Sequence, residues 1–287
     1  MSKKRNKNAV DPSQPARVLG MLEKAREQYA TSWSQDALAF EADGHYAWMC
    51  NIIDSFDRVL EVGCGDGRST MEIARRNHRI ISIDENPACL KTASERLANN
   101  GYSSKVIYRG AQKGKMRSYD MVYSPLDIEV PNEQILLIES DLFADKNIED
   151  WLLHVGPVDA VVCWLIGTYD GRQGQQAFAH VKSPGDYRLT IQNRLYELSD
   201  LILRPGGRLH IVDRGEEIAS QELLNDTIES HKEQASVTSL VVSHQVESRL
   251  YKPAGGVDTF ITKGISGRMP EAINIALVSI FSEKPMG

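Results

Sequence analysis

Residues 58–70, Arg58-Val59-Leu60-Glu61-Val62-Gly63-Cys64-Gly65-Asp66-Gly67-Arg68-Ser69-Thr70, constrain the fold more than any other stretch. Val59, Leu60 and Val62 form the continuous apolar run expected of a strand buried on both faces, as in a parallel sheet. Three glycines follow at once. Gly63 can take a backbone angle closed to other residues, and Gly65 lets main chain approach a ligand with no Cβ in the way. A helix opening near Ser69 would turn its unpaired amides towards whatever lies beyond the strand end. Strand, glycine turn and helix in this order describe a ligand-binding loop in an open α/β sheet.

The glycine spacing bears on which ligand. A dinucleotide fingerprint needs Gly-x-Gly-x-x-Gly, and here the third glycine comes one residue early at Gly67, with Arg68 in the place it should hold. Glu61 fits poorly with a bound polyphosphate and better with a ligand carrying an ammonium and a sulfonium. The pattern Glu-x-Gly-x-Gly-x-Gly resembles the first motif of the class I S-adenosylmethionine-dependent methyltransferases. That resemblance implies an α/β fold with a doubly wound, seven-stranded, mostly parallel Rossmann-like sheet, S-adenosyl-L-methionine as cofactor, and Glu61 near its methionine end.

Further positions follow in family order. Arg79-Ile80-Ile81-Ser82-Ile83 reads as a second buried strand ending in Asp84-Glu85, where a carboxylate would hold a ribose diol; Asn86-Pro87 then opens a helix to Asn99. Gln134 to Glu139 is a third strand, and the resemblance assigns Asp141 and Leu142, just beyond it, to the adenine. Val158 to Trp164 is a fourth, its end facing the methyl group in this family. Arg204-Pro205-Gly206-Gly207-Arg208-Leu209 resembles the family's turn into a fifth strand. Cofactor contacts are therefore expected at Glu61, Gly63, Cys64, Gly65, Asp84, Glu85, Asp141, Leu142 and Trp164. The loop after the fourth strand has no Asn/Asp-Pro-Pro-Tyr/Phe and no Pro-Cys, so no acceptor is named by motif; Tyr169 and Asp170 are the catalytic candidates there.

Residues 1–14 read as a basic tail through Lys3, Lys4, Arg5 and Lys7, residues 15–53 as N-terminal helices acting as a lid, and residues 54–287 as the methyltransferase domain. Apolar spacing suggests one lid helix from Pro15 to about Ala30 and another from about Gln35 to Ile53, which would bring His45 and Tyr46 near the reacting centre. An insertion, residues 102–134, separates the second and third strands. It reads as a hairpin of residues 105–108 and 119–123 around Gly110 to Gly114, and is the most basic folded region through Lys105, Arg109, Lys113, Lys115 and Arg117. Because it joins a helix to the start of a strand, its root is expected at the end of the sheet away from the ligand, giving it a role in assembly or in holding a large acceptor.

Four widely spaced cysteines without a Cys-x-x-Cys pair give no sign of a metal site, and the absence of a long apolar run or a signal-like start suggests a cytoplasmic protein without a membrane span. A formal net charge of −6 gives no overall pull towards nucleic acid. A small-molecule acceptor is the leading expectation. An RNA or protein acceptor using the basic insertion, and a non-catalytic S-adenosylmethionine-binding subunit, are the alternatives.

Overall fold

A computed structural model describes residues 13–128, 135–252, 265, 267 and 273–287. The basic tail before Ser13 and most of the segment 253–272 lie outside the described residues. The strands are β1 (Arg58–Val62), β2 (Arg79–Asp84), β3 (Ser104–Ile107), β4 (Gly110–Gly114), β5 (Tyr119–Tyr123), β6 (Ile135–Glu139), β7 (Val158–Trp164), β8 (Leu203–Glu216), β9 (Val241–Leu250) and β10 (Ile275–Glu283). The helices are α1 (Ser13–Ala42), α2 (His45–Cys50), α3 (Arg68–Arg75), α4 (Pro87–Asn99), α5 (Lys146–Val155), α6 (Pro184–Ile202) and α7 (Gln221–Ala235).

Among the described residues, eight strands form one sheet in the order β3-β6-β2-β1-β7-β8-β10-β9, and β4 pairs only with β5. Pairing is parallel from β3 through β8, and only β10 runs antiparallel to its neighbours. The chain winds one way from β1 to β2 and the other way from β7 to β8, so the order reverses between β1 and β7. In an open α/β sheet the ligand crevice lies at such a reversal, beyond the carboxyl ends of the strands. Apolar side chains from both faces of the sheet build the core. Leu60 and Ile138 pack with Trp151 and Leu195 on the α5–α6 side, while Val59 and Leu137 pack with Met49 and Leu90 on the other.

Three sequence expectations change. The sheet has eight strands rather than seven, because residues 104–107 do not pair with residues 119–123 but add to the sheet edge beside β6. The hairpin is β4 with β5, so Gly110 to Gly114 is one of its strands and not its turn. Parallel pairing of β3 carries the chain along the edge to the carboxyl end, with Ile107 level with Ile138, and the hairpin therefore emerges on the ligand side of the sheet. The third change concerns the lid. Nothing between Thr31 and Ser34 breaks a helix, so α1 runs unbroken to Ala42, and the turn comes at Gly44 with φ 71°.

Candidate functional site

The glycine loop is locked from below. Gly63, Gly65 and Gly67 all have positive φ, at 86°, 51° and 83°. Gly67 N–H donates to Cys64 O at 2.9 Å, and a Cβ at Gly67 would stand 2.6 Å from Ala93 Cα of α4. A Cβ at Gly65 would run into the indole of Trp33, which α1 lays across the loop. Asp66, also buried, ties the lid to the loop. It accepts from Ser34 Oγ at 2.8 Å and from Arg96 Nη2 at 2.9 Å, and it pairs with Arg68.

Glu61 does not reach the cleft. Its carboxylate turns down between β1, β2 and α3 and accepts the hydroxyls of Ser69 at 2.5 Å, Thr70 at 2.6 Å and Ser82 at 2.8 Å. Burial raises its carboxyl above the ordinary range, against the effect of those three hydroxyls. Its place is in the strand–helix joint. The side chains of two other expected residues are also engaged outside the cavity. The Cys64 thiol is buried facing Gly65 O at 3.8 Å, and Trp164 Nε1–H donates to His210 Nδ1 at 3.0 Å under the sheet. His45 and Tyr46 are core residues, each edge-on to Phe40, because the helix break at Gly44 turns α2 inwards.

The remaining expected residues do come together. A cavity of about 50 Å³ beyond the carboxyl ends of β1, β2, β6 and β7 is lined by Gly63, Gly65, Asp84, Glu85, Asp141 and Leu142, with Tyr29 and Trp33 of α1 above it. Asp84 accepts Gly65 N–H and Asn86 N–H, both at 2.9 Å, while the Asn86 side chain takes over the capping of α4 through Ala88 N–H at 3.0 Å. Burial, and then the neighbouring Glu85, push the Asp84 carboxyl up to about 7 against the two amides. Asp141 accepts Phe143 N–H at 3.0 Å and Ala144 N–H at 3.1 Å. Burial raises its carboxyl too, and Arg172 opposes the rise.

Sequence reasoning missed the cations that occupy this site. Arg172, in a short 3₁₀ turn (Asp170–Gly174), pairs with Asp141 through Nη2 and with Glu85 through Nη1 at 3.3 Å. Its guanidinium lies 4.5 Å from the Phe178 ring centroid and 4.7 Å from that of Tyr187. Arg26 of α1 reaches Glu85 at 3.4 Å and donates to Tyr169 Oη at 3.2 Å. Tyr169 in turn donates to Glu85 at 3.3 Å. The spacing of Arg26, Tyr29 and Trp33, one face of a helix, was a usable signal for the lid. Nothing local marks Arg172.

A second cavity, of about 400 Å³, adjoins the first, and Tyr29, Tyr169, Arg172 and Tyr187 line both. Gln28, Ser32, Asp170, Phe178 and Lys182 complete much of its wall. The two catalytic candidates thus fall at the junction and on the outer wall. The β4–β5 hairpin supports this region from outside: Tyr119 Oη donates to Gly171 O at 3.0 Å, and Gly114 packs against Leu19 of α1.

The donor set suits S-adenosylmethionine. Glycines without Cβ atoms run beneath the cleft, and carboxylates stand just past two adjacent strands, β2 and β6. The space between them is far below the roughly 300 Å³ of a small-molecule site, and the side chains of Tyr29, Trp33, Tyr169, Arg172 and Tyr187 are among those that line it.

Fold and site together define a Rossmann-like methyltransferase architecture. Residues 59–140 match the family described as "Methyltransferase domain". The chain is 35% identical over 75 residues to an uncharacterized methyltransferase, C70.08c, of Schizosaccharomyces pombe, a match covering 25% of this chain and 28% of that protein. It is 38% identical over 50 residues to a probable cobalt-precorrin-6B C(15)-methyltransferase (decarboxylating) of Methanothermobacter thermautotrophicus, covering 17% of this chain and 26% of that one. These matches span little more than a quarter of the relatives' lengths. The N-methyltransferase NodS of Bradyrhizobium japonicum, solved with S-adenosyl-L-homocysteine, is 12% identical with a TM-score of 0.44, over 85% of this chain and 86% of that one. Over residues 59–140 the chain is thus similar to methyltransferase domains, in line with the resemblance of its glycine loop to the class I S-adenosylmethionine-dependent methyltransferases.

Proposed function

We propose that the chain transfers the methyl group of S-adenosylmethionine to a small-molecule acceptor bound in the 400 Å³ cavity. The supporting observation is the junction: the cavity lined by the glycine loop, Asp84 and Asp141 opens onto the larger one through four shared side chains. S-adenosylmethionine supplies the methyl as an electrophile whose sulfur leaves as a neutral thioether. The protein's own part is to orient the acceptor and keep water out. Trp33 and Tyr29, laid by α1 over Gly65 and Gly167, form the cover.

Tyr169 is a wall and not a base. Its hydroxyl donates to Glu85, and burial with that carboxylate nearby raises the phenol well above its ordinary value. Asp170 is the only carboxylate among the described residues lining the larger cavity, so a proton leaving the acceptor would go there. The cavity's size fits a small molecule better than a polymer segment. The insertion is also less basic in space than in sequence, because Arg109 is buried in a pair with Asp145 and Lys115 pairs with Asp120 at 2.7 Å.

The test is transfer of labelled methyl from S-adenosylmethionine into fractionated cell extract by the purified chain. Label is expected in the small-molecule fraction, and less of it with Asp170→Asn. Label in RNA or protein would replace the acceptor half of the reading. Cofactor binding without any transfer would mark a non-catalytic cofactor-binding subunit.

A further inference from the structure

The cavity that should hold the cofactor is one-eighth the volume of its neighbour, about 50 Å³ against about 400 Å³. Of the side chains that line it, Arg172 is the cation held by the carboxylates of the site. Its guanidinium satisfies Asp141 and Glu85 together and lies against the rings of Phe178 and Tyr187. Burial weakens this guanidinium's hold on its proton, but Asp141, Tyr187 and Glu85 more than offset that and raise it above the ordinary value. Asp141 is the carboxylate that the family resemblance assigns to the adenine amine, so one carboxylate has two claimants.

We propose that Arg172 is an internal competitor for the cofactor: it fills the adenine end of the site, and the cofactor binds by displacing it towards the acceptor cavity. The inference rests on the methyltransferase reading above. Three features support displacement of the side chain over movement of the whole segment. The turn that carries Arg172 is pinned from outside, with Tyr119 Oη on Gly171 O at 3.0 Å and Arg172 N–H on Tyr169 O at 3.0 Å. The larger cavity already has Arg172 in its wall, so the guanidinium has somewhere to go without the backbone moving. The hold is also incomplete, since the buried Nε–H has no hydrogen-bond partner among the described residues.

The energetic consequence is specific. A ligand that binds only when Arg172 is out has its apparent affinity reduced by the fraction of molecules in that state. Removing the competitor should therefore tighten binding, whereas a residue that merely supported the site would loosen it. By the same coupling, cofactor arrival places a guanidinium in the acceptor cavity, so cofactor binds first and an acceptor bearing a carboxylate or phosphate is favoured.

Calorimetric titration of S-adenosylhomocysteine into wild-type protein, Arg172→Gln and Arg172→Lys tests this, with thermal melting to confirm the fold. Arg172→Gln is expected to bind about tenfold more tightly or better, in the range of ordinary coupling between sites. Arg172→Lys, whose ammonium cannot reach Asp141 and Glu85 as a fork, should lie between it and the wild type and serves if the glutamine variant does not fold. Adenosine, which keeps the adenine and lacks the amino-acid arm, should show the same gain. Equal or weaker binding by both folded variants overturns the proposal while leaving the methyltransferase reading in place. No binding by any of the three proteins overturns both.

Discussion

The two walls of the cofactor cavity are built in opposite ways. The glycine-loop wall satisfies its polar groups close to home: Glu61 is held by Ser69, Thr70 and Ser82, Asp84 by Gly65 and Asn86, and Gly67 N–H by Cys64. Each of these partners lies within about one strand–helix unit of sequence. The facing wall is a set of charges drawn from four distant segments, Arg26, Glu85, Asp141 and Arg172, with Tyr169 between them. Hydrogen bonds between fixed backbone and short side chains make a preformed socket. Long guanidinium side chains can exchange one carboxylate for another, so the charged wall can rearrange where the socket cannot.

This contrast predicts where substitutions act. The largest effect should come from breaking the socket. Gly67→Ala puts a Cβ against Ala93 at a residue with φ 83°, and should cost about 2 to 5 kcal/mol of stability from backbone strain and overpacking. Urea denaturation measures this, and a loss below about 1 kcal/mol would show that α4 yields and the socket is softer than its contacts suggest.

Next is Asp84, which belongs to the socket yet lines the cavity. Asp84→Ala should weaken S-adenosylhomocysteine binding roughly tenfold to a hundredfold, since hydrogen bonds to charged groups contribute about 1.5 to 3 kcal/mol. Its pH dependence can be given a sign. The folded protein favours the neutral carboxyl, with its value raised to about 7 from the ordinary 3.8. The stability this contributes is fully present below about 4 and is lost as pH rises through about 7. Ribose hydroxyls donate better to the ionised form, so cofactor affinity should rise over the same interval, and Asp84→Asn should flatten both profiles. If Glu85→Ala removes the affinity while Asp84→Ala leaves it, the ribose carboxylate belongs to the charged wall instead.

The smallest effect is expected outside both walls. Lys113, Lys115 and Arg117 sit on the β4–β5 hairpin and its turn, and Lys115 is paired with Asp120 at the surface. Such exposed pairs contribute about 1 kcal/mol or less. Replacing all three with Ala should leave S-adenosylhomocysteine affinity unchanged by calorimetry. A large loss would mean that the hairpin, through Tyr119 and the Arg172 turn, governs the charged wall.

The legibility of the molecule in its sequence follows the same division. Residues 58–70, Asp84 and Asp141 could be read because their geometry is set by neighbours in the chain: a glycine with positive φ, a strand period, a cap at Asn86; Pro205-Gly206-Gly207, expected as a turn before a strand, lies instead within β8. From these, the mostly parallel sheet and the place of the cleft beyond its carboxyl ends followed. Even within the socket, however, sequence did not show that Glu61 faces down to three hydroxyls, because a strand residue's choice of face depends on what packs beneath it. The edge strand β3 was read as a strand but given the wrong partner, residues 119–123, for a related reason. Four residues carry little periodicity, and only the open edge of β6 in the folded sheet selects their partner. Arg172 lay beyond sequence reading altogether, since its partners Glu85 and Asp141 and the rings around it meet only when the sheet is closed and the turn after β7 folds back over it. Local backbone chemistry is written in adjacent residues, whereas the pairing of buried charges depends on distances that only the tertiary structure sets.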